Sequence, residues 1–135
     1  MPDYVIRQLT IALNERRQSV RGAKILVLGL AYKPDIDDLR ESPSITIIEK
    51  LQHLGADVSY NDPYIPRTHP QREHYLQMQS VELTPQALAD QDAVLIVTNH
   101  SCYDYAWIVA NARLVVDTRN ACAGVTKGRE KVVKA

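Results

Sequence analysis

The sequence predicts a doubly wound, mostly parallel α/β sheet preceded by an N-terminal helix. Two observations support this fold class. Short apolar runs, above all KILVL (24–28) and AVLIV (93–97), are typical of strands buried on both faces of a parallel sheet. Segments with helical periodicity lie between these runs, and this alternation is typical of βαβ units. The predicted architecture is therefore Rossmann-like.

The first half of the chain predicts two helices and two strands. Residues 2–19 predict a helix, since Pro2 suits a first helical position and apolar residues follow at helical spacing. After the strand at 24–28, Ser42 can cap a second helix. The run ADVSY (56–60) then predicts the next strand.

The second half begins with residues 63–83, which show no clear period and predict at most a short edge strand near 78–83. The remaining predicted elements are a brief helix at 84–91, a strand at 93–97, a helix at about 103–111, the strand RLVVD (113–117) and an edge strand in the tail REKVVKA (129–135).

Composition and charge argue against several classes of protein. The 135 residues suit one domain, and 16 basic and 16 acidic residues give zero net charge, whereas a general nucleic-acid binder has a basic excess. No apolar run predicts a membrane span, and the N-terminus does not resemble a secretion signal. Cys102 and Cys122 lack metal-ligand or CxxC spacing, so we expect free thiols in a cytoplasmic protein. A catalytic Cys102 with His100 as its base is the alternative.

Four loops are expected to form the ligand site. In an open α/β sheet, ligands bind beyond the carboxyl ends of the strands, where the strand order reverses. Right-handed crossovers place the strand at 24–28 between those at 56–60 and 93–97. The crevice is therefore expected between the strands at 24–28 and 93–97, bordered by the loops GLAYKPD, NDPY, TNHS and DTRN.

The loop after the first strand carries three candidate ligand residues. Lys33 could reach a phosphate, although a plain surface lysine is the alternative. Tyr32 could stack on a base or cover the core. Arg40 precedes the helix that Ser42 caps, and a helix N-terminus favours anions. Arg40 could therefore bind a phosphate or carboxylate, or it could pair with a neighbouring acid.

The loops after the third and fourth strands add further candidates. Asp117 and Arg119 follow an apolar strand and should emerge at its carboxyl end. They could pair with each other to fix the loop, or Arg119 could contact a ligand. His100 should face the same crevice, in a structural or helix-capping role or in a catalytic one.

The chain lacks the fingerprint of a dinucleotide site. A GxGxxG loop would need glycines where Ala31 and Pro34 stand. Asp62 ends the second strand, where an acid can bind a ribose, but it has no glycine loop as partner. The acids at 35–38 lack the glycine and glutamate of a calcium loop, so no metal site is predicted. The expected ligand is therefore the mononucleotide part of a larger molecule and not a dinucleotide.

The string GAKILVLGLAYKPDIDDLRESPS, followed by DPY and later VVDTRNA, resembles one family over residues 22–121. It is similar to the C-terminal domain of the UDP-glucose/GDP-mannose dehydrogenases, which are NAD-dependent nucleotide-sugar 6-dehydrogenases. The resemblance implies that residues 1–20 are the end of an interdomain helix and that residues 21–135 are the nucleotide-sugar-binding domain.

The resemblance also implies an activity for a longer protein. Such an enzyme has an N-terminal NAD-binding domain, a central dimerisation region and this C-terminal domain, and it forms a homo-oligomer. It oxidises the primary alcohol of the sugar to a carboxylate in two hydride transfers to NAD, through a cysteine of the central region. Neither Cys102 nor Cys122 matches that cysteine, so no catalytic residue is expected here and the fragment alone should be inactive.

Individual roles follow from the same resemblance. Tyr32 and Lys33 match an aromatic–lysine pair at the nucleotide and phosphates of the UDP-sugar substrate. Arg119 matches an arginine that contacts the substrate, and Arg40 matches one that reaches the NAD pyrophosphate. The motifs look most like the branch that acts on UDP-N-acetylhexosamines, such as UDP-N-acetylglucosamine or UDP-N-acetylmannosamine.

Two other functions stay open at this point. The chain could be a free-standing nucleotide-binding or regulatory α/β module, or a mainly structural domain that closes a cleft. As a fragment it would leave the helix face around Val5 and Leu9 partly bare, and that face could drive a non-native association.

Overall fold

Five strands form one parallel sheet in the computed structural model, which describes residues 2–31, 33–35, 42–68 and 78–135. The strands are β1 (Lys24–Leu28), β2 (Asp57–Asn61), β3 (Ala93–Ile96), β4 (Val115–Asp117) and β5 (Val132–Lys134). Their order is β2-β1-β3-β4-β5, and every neighbouring pair is parallel. The predicted fold class is confirmed, with β1 between β2 and β3 and the tail as an edge strand.

Helices cover both faces of the sheet, as a doubly wound fold requires. They are α1 (Pro2–Glu15), α2 (Pro43–His53), α3 (Pro85–Ala89) and α4 (Tyr105–Asn111), with a 3₁₀ turn at Arg129–Lys131. The core on one face joins α1 and α2 to residues such as Ile25 and Val27 of β1, whereas Leu26 and Leu28 face α3 and α4. This alternation gives the near-continuous apolar runs of the sequence. Within the described residues, no helix is long and apolar enough to cross a membrane.

Side-chain caps set where three helices begin. Ser42 accepts a hydrogen bond from the backbone of Ser44 ahead of α2, and Thr84 does the same for Ala87 ahead of α3. Asp104 caps α4 through the backbone N–H of Trp107. For this reason α4 begins at Tyr105, two residues later than predicted.

The C-terminal end of α1 differs from the prediction. The helix ends at Glu15, because Arg17 adopts a left-handed φ of 60° and the N–H of Gln18 bonds back to the carbonyl of Leu13. This bond pattern is a Schellman motif without the usual glycine, so the sequence does not predict it. The expected edge strand near 78–83 is reduced to one isolated antiparallel bridge between Arg67 and Gln79.

The expectation of a bare apolar face on α1 is wrong. Val5 and Leu9 are completely buried in the core cluster that includes Leu51 of α2. The Nζ of Lys50 also lies 2.8 Å from a carboxylate oxygen of Asp3, which links the two helices. Helix α1 therefore packs as an integral layer of this domain.

Candidate functional site

The loops that follow β1, β2 and β3 are joined at the carboxyl edge of the sheet. Backbone hydrogen bonds continue the parallel ladder beyond the strands, from Gly29 to Asn61 and from Val97 to Leu28. The hydroxyl of Thr118 likewise donates to the carbonyl of Ile96 at 2.8 Å, which ties the loop after β4 to the same edge. The edge is thus a continuous hydrogen-bonded rim.

Gly29 permits the close approach of two loops at this rim. Its φ is +90°, and a Cβ placed on it would lie 2.5 Å from both the Cβ and the carbonyl oxygen of Thr98. The hydroxyl of Thr98 in turn donates to the carbonyl of Ala31 at 2.7 Å. Glycine is therefore needed both for the turn and for the contact.

Asp62 occupies the inside of the loop that follows β1. Its side chain is fully buried, and Oδ2 accepts the backbone N–H groups of Leu30 and Ala31 at 2.7 Å and 2.9 Å. Oδ1 accepts the N–H of Tyr64 at 2.8 Å. A carboxylate used in this way supports the loop and is not presented to a ribose. The two amides that directly follow the strand are likewise bonded to protein.

His100 connects the loops that follow β1, β2 and β3. The ring is fully buried, with Nε2 2.8 Å from Oδ2 of Asp62. On the other side, Nδ1 accepts the backbone N–H of Asp35 at 2.8 Å. Because Nδ1 is an acceptor, the ring proton must lie on Nε2, from which it is donated to Asp62. This geometry supports the structural alternative for His100.

Asp35 is held against the loop after β3 by its side chain as well. Its carboxylate accepts the backbone N–H and the hydroxyl of Ser101, each at 2.8 Å. These hydrogen bonds lower the pKa of Asp35 below its ordinary value. The backbone of Asp35 is in the left-handed region, with φ of 62°, which is uncommon for a residue other than glycine.

Lys33 is exposed and lies between two anchored residues. On one side, Ala31 is bonded to Thr98 and Asp62. On the other side, Asp35 is bonded to the loop after β3. The lysine therefore extends from a short segment whose two ends are both fixed at the rim.

Arg119 reaches the same rim from β4. Its Nε donates to the carbonyl of Val97 at 2.8 Å, and the residue is exposed. Asp117 is buried and accepts the backbone N–H groups of Arg119, Ala121 and Cys122. The expected contact between Asp117 and Arg119 thus forms through the arginine backbone, while its guanidinium bonds to the end of β3.

The predicted site residues divide into two groups. Lys33 and Arg119 belong to loops that both bond to the end of β3, whereas Tyr32 and Arg40 lie outside the described residues. Two surface cavities of about 400 Å³ and 600 Å³ lie beside α1, and none of the four loops lines them. The joint role of Asp62 and His100 is not predicted by the sequence, because no local pattern connects residues 38 positions apart.

The chain is similar to one family of known proteins. Residues 26–124 match the UDP-glucose/GDP-mannose dehydrogenase family, UDP binding domain. The chain is 34% identical to the UDP-glucose 6-dehydrogenase of Haloferax volcanii over 110 residues, which are 79% of this chain and 25% of that protein. It is also 34% identical to the UDP-N-acetyl-D-mannosamine dehydrogenase of Campylobacter jejuni over 100 residues, which are 73% of this chain and 23% of that protein.

A solved structure gives the same result for the fold. The UDP-N-acetyl-mannosamine dehydrogenase of Staphylococcus aureus aligns with a TM-score of 0.66 at 27% identity, over 98% of this chain and 29% of that one. The chain thus spans about a quarter of the length of the relatives it matches. On the match to the family over residues 26–124, the chain belongs to the UDP-glucose/GDP-mannose dehydrogenase family and carries its UDP binding domain.

Proposed function

We propose that this domain holds the nucleotide end of a UDP-sugar at the carboxyl edge of its sheet. One observation carries the proposal: the loops that bear Lys33 and Arg119 both bond to the end of β3, through Thr98 to Ala31 and through Arg119 to Val97. In this proposal the side chains of Lys33 and Arg119 enter the crevice where an open α/β sheet binds ligands. The family match supplies the kind of nucleotide.

The chemistry of the two cations suits a diphosphate. Arg119 uses Nε to bond the carbonyl of Val97, and its terminal nitrogens remain on an exposed side chain. A guanidinium fixed at one end is well placed for charge-assisted hydrogen bonds to phosphate oxygens. Lys33 would add a second positive charge from the neighbouring loop. Tyr32 is proposed to stack on the base, a role assigned by the resemblance alone.

The longer protein is proposed to be an NAD-dependent UDP-sugar 6-dehydrogenase. In this proposal residues 1–20 end an interdomain helix, residues 21–135 bind substrate, and the catalytic cysteine and most of the NAD site lie in other domains of a homo-oligomeric enzyme. The N–H groups of Leu30 and Ala31 are not presented to an NAD pyrophosphate, because Asp62 accepts both of them. Only Arg40 is proposed to reach NAD from here.

The sugar is proposed to be an N-acetylhexosamine, as in UDP-N-acetylglucosamine or UDP-N-acetylmannosamine. The motifs of the first loop and of VVDTRNA support this choice. Relatives named for UDP-glucose are 34% identical over 79% of this chain and 42% identical over 60% of it, and one named for UDP-N-acetyl-D-mannosamine is 34% identical over 73%, so overall identity does not favour an N-acetylhexosamine and the choice depends on those motifs. Turnover of the longer enzyme with each UDP-sugar tests it directly.

Calorimetric titration with UDP tests the proposed site. Each charge-assisted bond contributes about 1.5–3 kcal/mol, so Lys33→Ala and Arg119→Ala should each weaken UDP binding by about 10- to 100-fold. Lys24→Ala and Arg113→Ala are matched controls at the amino ends of β1 and β4 and should leave the affinity unchanged. Equal losses in all four variants, or none in the first two, would overturn the proposal.

A further inference from the structure

We propose that His100 is a positioning residue for the UDP site, which it serves by fixing the segment 33–35 that bears Lys33. The inference rests on the proposed function. His100 itself is fully buried and cannot contact a ligand in the crevice. Its two ring nitrogens instead link the backbone of Asp35 to the carboxylate of Asp62.

The link needs one hydrogen-bonding arrangement of the ring. Nδ1 must accept the N–H of Asp35, and Nε2 must donate to Asp62, each across 2.8 Å. Asp62 is itself fixed, because it accepts the N–H groups of Leu30 and Ala31. An imidazole with its proton on Nε2 therefore links the start of the loop, which Asp62 holds at Leu30 and Ala31, to Asp35.

The segment depends on this link because its conformation is unfavourable by itself. Asp35 has a φ of 62°, a region that is costly for residues other than glycine, less so for aspartate than for most, and that surrounding bonds stabilise. Three bonds do so: one from its N–H to His100, and two from Ser101 to its carboxylate. Without them the segment would sample other conformations, and Lys33, two residues earlier, would lose its fixed place.

Two substitutions of His100 separate positioning from general stability. His100→Asn places an amide oxygen near the position of Nδ1, so it retains the acceptor for Asp35 and loses the donor to Asp62. His100→Gln places an amide nitrogen near the position of Nε2, so it retains that donor and loses the acceptor. If His100 were purely structural, the loss of UDP affinity in each variant would match its loss of stability. If His100 positions the segment, UDP affinity is lost in the variant without the acceptor, His100→Gln, and is kept in His100→Asn.

An exposed pair of substitutions tests the other two bonds that hold the same segment, without disturbing the core or the bond from His100 to the Asp35 backbone. Asp35 is exposed, so Asp35→Ala should fold, but it removes both bonds from Ser101 and disfavours the left-handed backbone. Asp35→Asn keeps an acceptor oxygen and the tolerance of asparagine for that backbone. Asp35→Asn should therefore retain the UDP affinity that Asp35→Ala loses.

The experiment is calorimetric titration of each variant with UDP, beside thermal unfolding of the same samples. Asp35→Ala and His100→Gln should weaken UDP binding about 10-fold, the order of one charged hydrogen bond, while Asp35→Asn and His100→Asn stay within about 3-fold of the unmodified chain. If Arg119→Ala weakens binding but His100→Gln weakens it no more than His100→Asn does, the positioning role is overturned and the proposed function stands. If the unmodified chain does not bind UDP, or Arg119→Ala has no effect, the proposed function fails and the positioning role with it.

Discussion

The substitution Gly29→Ala is expected to be among the most damaging single methyl additions in the domain. The new Cβ would lie 2.5 Å from the Cβ and carbonyl oxygen of Thr98, and the φ of +90° disfavours any side chain. Left-handed backbone costs a non-glycine residue roughly 1–2 kcal/mol. Overpacking against backbone adds about 1–3 kcal/mol, because Thr98 cannot escape by changing rotamer. The free energy of unfolding should therefore fall by about 2–5 kcal/mol.

Two other glycines separate the backbone cost from the steric cost. Gly22 has a φ of +80° with no heavy atom within 4 Å of its added Cβ, so Gly22→Ala should cost only the roughly 1–2 kcal/mol of the backbone. Gly124 has open space and no positive φ, so Gly124→Ala should be neutral or stabilising by up to about 1 kcal/mol. Urea denaturation of the three variants measures these differences. A Gly29→Ala variant no less stable than Gly22→Ala would refute the close approach to Thr98.

Three further predictions follow from burial and charge. Cys102 is exposed and should react with a thiol reagent in the folded chain, whereas buried Cys122, whose pKa is raised to about 11 by burial and Asp117, should react only after denaturation. The lowered pKa of Asp35 means that its stabilising bonds are complete above pH 3.8 and are lost as the pH falls further, so the stability deficit of Asp35→Ala should shrink below that pH in thermal unfolding. Leu9→Ala should lower the free energy of unfolding by about 2–5 kcal/mol if α1 is integral to the domain, and a negligible loss in urea denaturation would contradict its burial.

Most of the fold could be predicted because its signals are local. The apolar runs at 24–28 and 93–97 predict the central strands, and right-handed crossovers then predict the strand order. Ser42 predicted the start of α2 because an N-cap acts over two or three residues. The end of α1 was not predictable, since Arg17 adopts a conformation that its residue type does not favour.

The sequence predicts that the loops of the site meet at one edge of the sheet but not the hydrogen bonds that join them, and the ligand-binding roles of Lys33 and Arg119 stay predictions. The switch-point rule brings Lys33 and Arg119 to one edge without any knowledge of contacts. The roles of Asp62 and His100 depend on a contact between residues 38 positions apart, for which the sequence has no local pattern. The contacts of Arg119 are also not predictable from the sequence. Its backbone N–H donates to Asp117, whereas its side chain donates to the carbonyl of Val97.

The carboxyl edge of the sheet is proposed to bind the UDP part of a nucleotide sugar. An amide NMR titration of the chain with UDP, and separately with NAD, tests this proposal most directly, because the method detects binding even when the dissociation constant is millimolar. We expect UDP to shift the amides at 33–35, 98–101 and 117–120, and NAD to shift them little. The absence of shifts with UDP, or shifts centred on the amino edge near Lys24, would contradict the account.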